Sequence, residues 1–321
     1  MGKKDSGFVA GIDLGGTSIA VGIVDTEGRI RGAHKRKTKA ATGLEAVLGR
    51  IEEAVARACE EAHIGAGQLD AVGIGAPSAI NIDEGVVINA GNLGWKNVPL
   101  RELLEKRLSR RVVVDNDVNA AAWGEAQVGA ARSWKDLLAV WVGTGIGGGL
   151  VLNGELWRGS FHTAGEIGQM SLMPRGGAGR RTLEEHCSRV SMVRAMETLA
   201  GFYPDSSIVA ALARREPGEL LGSRQIGLAY AEGDELCRRV VDDAAELLGM
   251  AIANAVTLLS VKAVVLGGGV TDALGDRYFG LVRDAFEASV FPSTLRKCRF
   301  VASELGDDAG IIGAALLARG G

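Results

Sequence analysis

Apolar residues run almost unbroken from Phe8 to Leu14 and again from Ile19 to Val24, with Gly15, Gly16, Thr17 and Ser18 between them. Runs of this length, set off by turn residues, predict two buried strands joined by a tight turn. Asp25, Thr26, Glu27 and Gly28 supply the next turn, and residues 29–37 read as a third strand, so the chain opens as a meander. The period then becomes helical: Leu44, Val47, Leu48, Ile51, Val55 and Ala58 share one face, and Glu52, Glu53, Arg57 and Glu60 the other. A short strand over 71–76 ends at Pro77, a helix is expected from Pro99 to Leu108 with proline at its start, and a strand over 111–114 follows. Around Leu137 the opening pattern returns. Residues 137–142 read as a strand, 143–148 as a glycine turn, 149–152 as a second strand, and Asn153 and Gly154 as a hairpin turn. Residues 182–260 are helical in pattern, with 242–259 apolar on nearly every side. A strand over 261–266 runs into Gly267, Gly268 and Gly269, and a small-residue helix over 308–318 is suited to close packing on another helix.

Composition narrows the class. A chain of 321 residues, 47% of them hydrophobic, is long enough for two lobes with their own cores. Its 36 basic and 39 acidic residues are interspersed, which argues against nucleic acid as a partner. The densest basic stretch, with Lys35, Arg36 and Lys37, has no aromatic residue for base stacking and reads as a solvated strand end. Cys59, Cys187, Cys237 and Cys298 form no Cys-x-x-Cys pair, so a reducing cytoplasm is expected. Met1 to Ser6 formally match a myristoylation signal, read as coincidence because no second anchor accompanies it, and no apolar segment predicts a membrane span.

The three glycine turns, each following an apolar strand, carry the candidate chemistry. At the first, Gly15 and Gly16 leave room for main-chain N–H groups to close on a phosphate while Thr17 adds a hydroxyl. A hairpin that needs glycine only for its dihedrals fits the same residues. Asp13, just before the turn, could hold a hydrated Mg²⁺. Gly143, Gly145 and Gly148 satisfy a dinucleotide fingerprint, but a strand follows where that motif needs a helix, so a nicotinamide site is rejected. No Walker loop is present. Asp117 is a candidate general base, and Asn92, Asn116, Asn119, Glu166 and Glu184 could hydrogen-bond a polyol. Each also has an ordinary reading: Asp115 or Asp117 as a helix N-cap, Glu166 as a turn residue, Asn92 as a loop former.

As a set the motifs resemble the ROK family of bacterial sugar kinases, within the actin, Hsp70 and sugar-kinase superfamily, over nearly the whole chain. The resemblance rests on Gly11 to Thr17, Gly73 to Pro77, Asn92 to Trp95, Asn116 to Ala121, Gly143 to Gly149, Ala164 to Gly168, and Gly267 to Gly269. It implies a two-lobed α/β fold of the actin-like (ribonuclease H-like) ATPase kind, with duplicated mixed sheets flanked by helices. Lobes are expected at 1–116 plus 305–321, with the first phosphate motif and part of the sugar site, and at 117–304, with the second phosphate and adenosine motifs. The resemblance further implies ATP-dependent phosphorylation of a hexose hydroxyl, glucose by default, by a cytoplasmic homodimer whose lobes close on the sugar. Asp117 would be the base. Asn92, Asn116, Glu166, Gln169 and Glu184 would contact the sugar. Asp13, Gly15, Gly16, Thr17, Gly143, Thr144, Gly145, Gly267, Gly268 and Gly269 would hold ATP, with Asp13 acting through Mg²⁺. An N-acetylhexosamine or fructose kinase is the alternative, and a sugar-sensing regulator a more distant one, since only seven residues precede Phe8 and leave no room for a helix-turn-helix.

Two departures stand out. Ser78 replaces the glycine that usually follows Pro77, which is expected to alter that loop. The family's cysteine-rich zinc loop is missing: residues 175–184 hold no cysteine, and Gln169 stands where the remaining zinc-ligating histidine would be. His186 and Cys187 offer only two ligands, so zinc is not expected.

Overall fold

The two glycine-turn hairpins each seed a five-stranded sheet, and the sheets share one strand order. In the computed structural model, which describes residues 7–172, 182–216 and 219–320, the first hairpin is β1 (Phe8–Leu14) and β2 (Ser18–Val24), extended by β3 (Ile30–Lys37). Helix α1 (Leu44–Glu61) buries Val47, Leu48, Ile51, Val55 and Ala58, the apolar face read from its spacing. After it come β4 (Leu69–Ala76), a small sheet of β5 (Ala79–Asn81), β6 (Val86–Ala90) and β7 (Trp95–Val98), then α2 (Leu100–Leu108), β8 (Val112–Asn116) and α3 (Asp117–Gln127). Sheet order is β3-β2-β1-β4-β8, with β1, β4 and β8 parallel.

The second sheet begins with β9 (Leu137–Val142), β10 (Ile146–Leu152) and β11 (Glu155–Trp157). Helices α4 (Glu184–Cys187), α5 (Arg189–Leu199), α6 (Ser207–Arg214), α7 (Ser223–Glu232) and α8 (Glu235–Leu259) lead to β12 (Ala263–Gly267). Helix α9 (Gly269–Ser289), β13 (Arg299–Ala302) and α10 (Ala309–Gly320) complete the chain. Its order, β11-β10-β9-β12-β13, repeats the first, again a meander followed by parallel strands. The duplicated mixed sheets flanked by helices are therefore as the sequence implied.

By contact density the chain divides into Met1–Lys135, Gly149–Ala164 and Asp307–Gly321 as one unit, and Asp136–Gly148 and Gly165–Gly306 as the other. In the first unit, α10 lies so close to its neighbours that a Cβ on Gly11 would meet the Ile311 carbonyl oxygen at 1.9 Å, and one on Gly73 that of Ala314 at 1.8 Å. A Cβ on Gly313 would meet the Ala120 carbonyl oxygen of α3 at 1.7 Å. The small-residue pattern at 308–318 thus has the packing role expected of it. In the second unit α8 is the central element, with twelve residues from Leu236 to Val256 buried. Among the described residues no helix is long and apolar enough to cross a membrane. The expectations for Met1 to Ser6 and for residues 175–181 lie outside the described residues.

Candidate active site

Strand register brings the first unit's acidic residues to one face. Lys35, Ala20, Asp13, Gly75 and Asp115 are successive partners across β3, β2, β1, β4 and β8, so their side chains point the same way. Burial lifts the Asp13 carboxyl from its ordinary 3.8 to about 6, with Lys35 pulling it down and Asp307 pushing it up. The turn after it is held from behind by Thr38, which is fully buried. Thr38 donates its hydroxyl to the Gly15 carbonyl at 2.6 Å and its N–H to the Thr17 carbonyl at 2.9 Å. Gly15 gives its own N–H to Ser18 at 2.8 Å, so the turn's offer to an anion narrows to Gly16, Thr17 and the Thr17 hydroxyl. Neither glycine has positive φ. Gly16 is small for another reason: a Cβ there would lie 3.0 Å from the Asn92 amide nitrogen and 3.1 Å from its Cβ. The turn and Asn92, far apart in sequence, are in contact.

The Asp115 to Asn119 stretch sorts itself by hydrogen bonding. Asp115 is buried and paired with Arg158, whose Nε and Nη2 reach one carboxylate oxygen at 2.8 and 2.7 Å. Its other oxygen accepts from the Asn116 N–H at 2.8 Å and the Asn119 amide at 3.0 Å. Asn116, rather than either aspartate, is the N-cap of α3, accepting from the N–H groups of Val118 at 2.9 Å and Asn119 at 3.1 Å. Its amide donates to the Ser78 carbonyl at 3.2 Å. Asp117 is the first residue of α3 and is half-buried. Ser78 has φ of 77°, a left-handed conformation that favours glycine.

In the second unit the turn between β9 and β10 is joined to the predicted sugar residues. The Ile146 N–H donates to Glu184 Oε2 at 2.8 Å, and a Cβ on Gly145 would be 2.3 Å from that same oxygen. Gln169 donates its amide to Glu184 Oε1 at 3.4 Å. Glu166 is pushed above its usual range by burial and then by the charge of Glu184. Arg189, at the start of α5, donates its main-chain N–H to the Gly143 carbonyl at 3.0 Å and Nη2 to the Thr144 hydroxyl at 2.9 Å. Gly267 ends β12 beside the Trp141 ring. Gly268 has φ of 95° and lies against the main chain of Val142, and Gly269 opens α9.

The first unit therefore gathers Asp13, Gly15 to Thr17 and Asn92, and separately Asn116 and Asp117. The second gathers Gly143 to Gly145 with Glu166, Gln169 and Glu184, and, apart from these, Gly267 to Gly269. Thr38, Arg158 and Arg189 support these groups and were not singled out from the sequence, because a lone threonine and two scattered arginines carry no local pattern. Cys187 is buried, its thiol pushed up to about 12 by that burial. Among the described residues no three His, Cys, Asp or Glu side chains are grouped as metal ligands.

Comparison with known proteins gives these groups a context. The model of the ROK family matches residues 9–320. A glucokinase of Streptomyces coelicolor is 35% identical over 98% of this chain and 98% of its own. The structure of a ROK family glucokinase from Streptomyces griseus in complex with glucose and AMPPNP superposes with a TM-score of 0.85 at 34% identity, covering 98% of this chain and all of that one. A ROK hexokinase from Thermus thermophilus gives a TM-score of 0.78 at 31% identity, over 97% and 98% of the two chains.

Proposed function

The chain belongs to the ROK family, and from that membership we propose that it is an ATP-dependent kinase that phosphorylates a hydroxyl of a hexose, with glucose the first substrate to test. The observation that carries the reading is the anchoring of Asp117. Arg158 holds Asp115, Asp115 holds Asn116 and Asn119, and Asn116 caps the helix that Asp117 begins. A carboxylate so positioned suits a general base. Asp117 takes the proton of the sugar hydroxyl as its oxygen attacks the γ-phosphorus, the bond from phosphorus to the β,γ-bridging oxygen breaks, and ADP leaves. Asn92, Glu166, Gln169 and Glu184, with the remaining amide hydrogen of Asn116, orient the sugar hydroxyls. The N–H groups of Gly16 and Thr17, the second turn at Gly143 to Gly145 and the third at Gly267 to Gly269 take up the nucleotide.

Asp13 fits a magnesium ion held through water: burial makes its carboxyl resist ionisation more than Lys35 offsets, and Asp307 adds a second acidic group. Bound Mg²⁺ would neutralise charge on the transferring phosphates. The four cysteines are free and three are buried, which supports a cytoplasmic setting.

The test is donor consumption by wild type and Asp117→Asn across hexoses, N-acetylhexosamines and fructose. Asp117→Asn is expected to lose turnover by at least about two orders of magnitude while sugar affinity stays within about tenfold, because the amide keeps shape and one acceptor but cannot take a proton. Turnover near wild type would remove Asp117 from the mechanism.

A further inference from the structure

The second glycine turn has a cation against it that the reading above does not use. Arg189 holds Thr144 Oγ1 through Nη2 at 2.9 Å and the Leu221 carbonyl through Nη1 at 2.8 Å, while its own N–H holds the Gly143 carbonyl at 3.0 Å. Both side-chain partners are neutral, and among the described residues no carboxylate pairs with it. A guanidinium carries five N–H donors, so donors remain beyond these two. It is half-buried, and loss of solvent pulls its pKa below the usual arginine range. Arg36, Arg107, Arg158 and Arg215, which are half-buried like Arg189, are each matched to an acid. A partly desolvated cation without a counter-charge is costly unless an anion completes it.

We propose that Arg189 binds the phosphate chain of the nucleotide at the second turn, directly, as a planar donor to phosphate oxygens. The inference rests on the kinase reading, because that reading supplies the anion, and it assigns to this chain a phosphate contact beyond the glycine-turn amides. Thr144 fits the arrangement. Its hydroxyl oxygen accepts from Arg189, which leaves the hydroxyl hydrogen to donate to the same anion. Arginine suits the role better than lysine because its flat fork satisfies a protein hydroxyl and a phosphate at once.

The experiment measures binding of adenosine, ADP and a non-hydrolysable ATP analogue to the full-length protein, for wild type, Arg189→Gln and Arg189→Lys, with steady-state KM values alongside. Direct phosphate binding predicts that Arg189→Gln weakens ADP and the ATP analogue on the order of tenfold or more, leaves adenosine and the sugar KM within about twofold, and that Arg189→Lys falls between. A merely structural role would weaken adenosine and ATP together, or neither, and either result overturns the assignment. If Arg189→Gln does not fold, Arg189→Lys carries the same comparison, and an unchanged ratio of ATP to adenosine affinity overturns it. Wild type that binds adenosine but neither phosphorylated ligand would sink the kinase reading and this assignment together. Normal ATP binding with an indifferent Arg189 would sink only the latter.

Discussion

At the scale of single residues, Ser78 and Gly145 show how differently two tight positions are constrained. Ser78 sits at φ 77° with a side chain that makes the position costly, and its carbonyl accepts from the Asn116 amide. A left-handed residue other than glycine costs roughly 1–2 kcal/mol, while glycine returns somewhat less than 1 kcal/mol of freedom to the unfolded chain. Ser78→Gly is therefore expected to stabilise the protein by about 0.5–1 kcal/mol, read as a higher denaturant midpoint at unchanged slope. A lower midpoint would mean that the serine side chain stabilises the loop. Gly145 is constrained by a neighbour. Sequence reasoning alone makes Gly145→Val a lesion in nucleotide binding, but any Cβ there meets Glu184 Oε2, which also takes the Ile146 N–H and faces Gln169. The substitution should raise the KM for sugar and nucleotide together, each by about tenfold or more, through displacement of Glu184. A rise confined to the nucleotide would show that the turn acts on phosphate alone.

At the scale of elements, Asp234 ties two helix starts to one carboxylate. It accepts from the Cys237 N–H at the head of α8 at 2.9 Å, and from the Ser207 N–H at 2.6 Å and the Ser206 hydroxyl at the head of α6. Burial alone would raise its pKa, but these hydrogen bonds outweigh it and hold the carboxyl below its ordinary 3.8. A carboxyl lowered by folding stabilises above its unfolded pKa, and that contribution is lost as pH falls through the folded value. Asp234→Asn should cost about 1–2 kcal/mol at neutral pH and flatten the stability profile below about pH 4, as urea midpoints at pH 3 to 7 would show. A profile parallel to wild type would mean that the two caps do not depend on the charge. The elements themselves differ in how far the sequence announces them. Buried strands and α1 are legible because apolar runs and helical spacing are local signals. Strands β5 to β7 are not: residues 89–97 look like a binding loop because the turn at 91–94, with Gly91, Asn92 and Gly94, dominates the ends of two short strands. The site was legible as a set of residue types but not as a division of labour. What separates Asp115, a structural ion pair, from Asp117 is Arg158, forty-three residues further on, and no local pattern reveals such a partner.

At the scale of the whole molecule, Asp13 links global stability to pH and to the metal. Its carboxyl is raised by folding from 3.8 to about 6, so the folded state holds this proton more tightly than the unfolded one. The sign follows: stability falls as pH rises from about 4 and levels off above about 6, by at most about 3 kcal/mol for a shift of this size. An asparagine has the same shape and no charge to desolvate. Metal-free Asp13→Asn should therefore match wild type near pH 4 and exceed it above pH 6. A cation that offsets the desolvated carboxylate reverses the order. With Mg²⁺ in excess at pH 7.5, wild type should gain stability and the variant should not, and the gain should shrink as pH falls through 6 because the proton and the ion compete for one carboxylate. Melting temperatures of both proteins across this pH range, with EDTA and with Mg²⁺, decide the matter. Parallel profiles in EDTA would mean that Asp13 is not a desolvated carboxylate, and an equal gain from Mg²⁺ in both proteins would place the ion elsewhere.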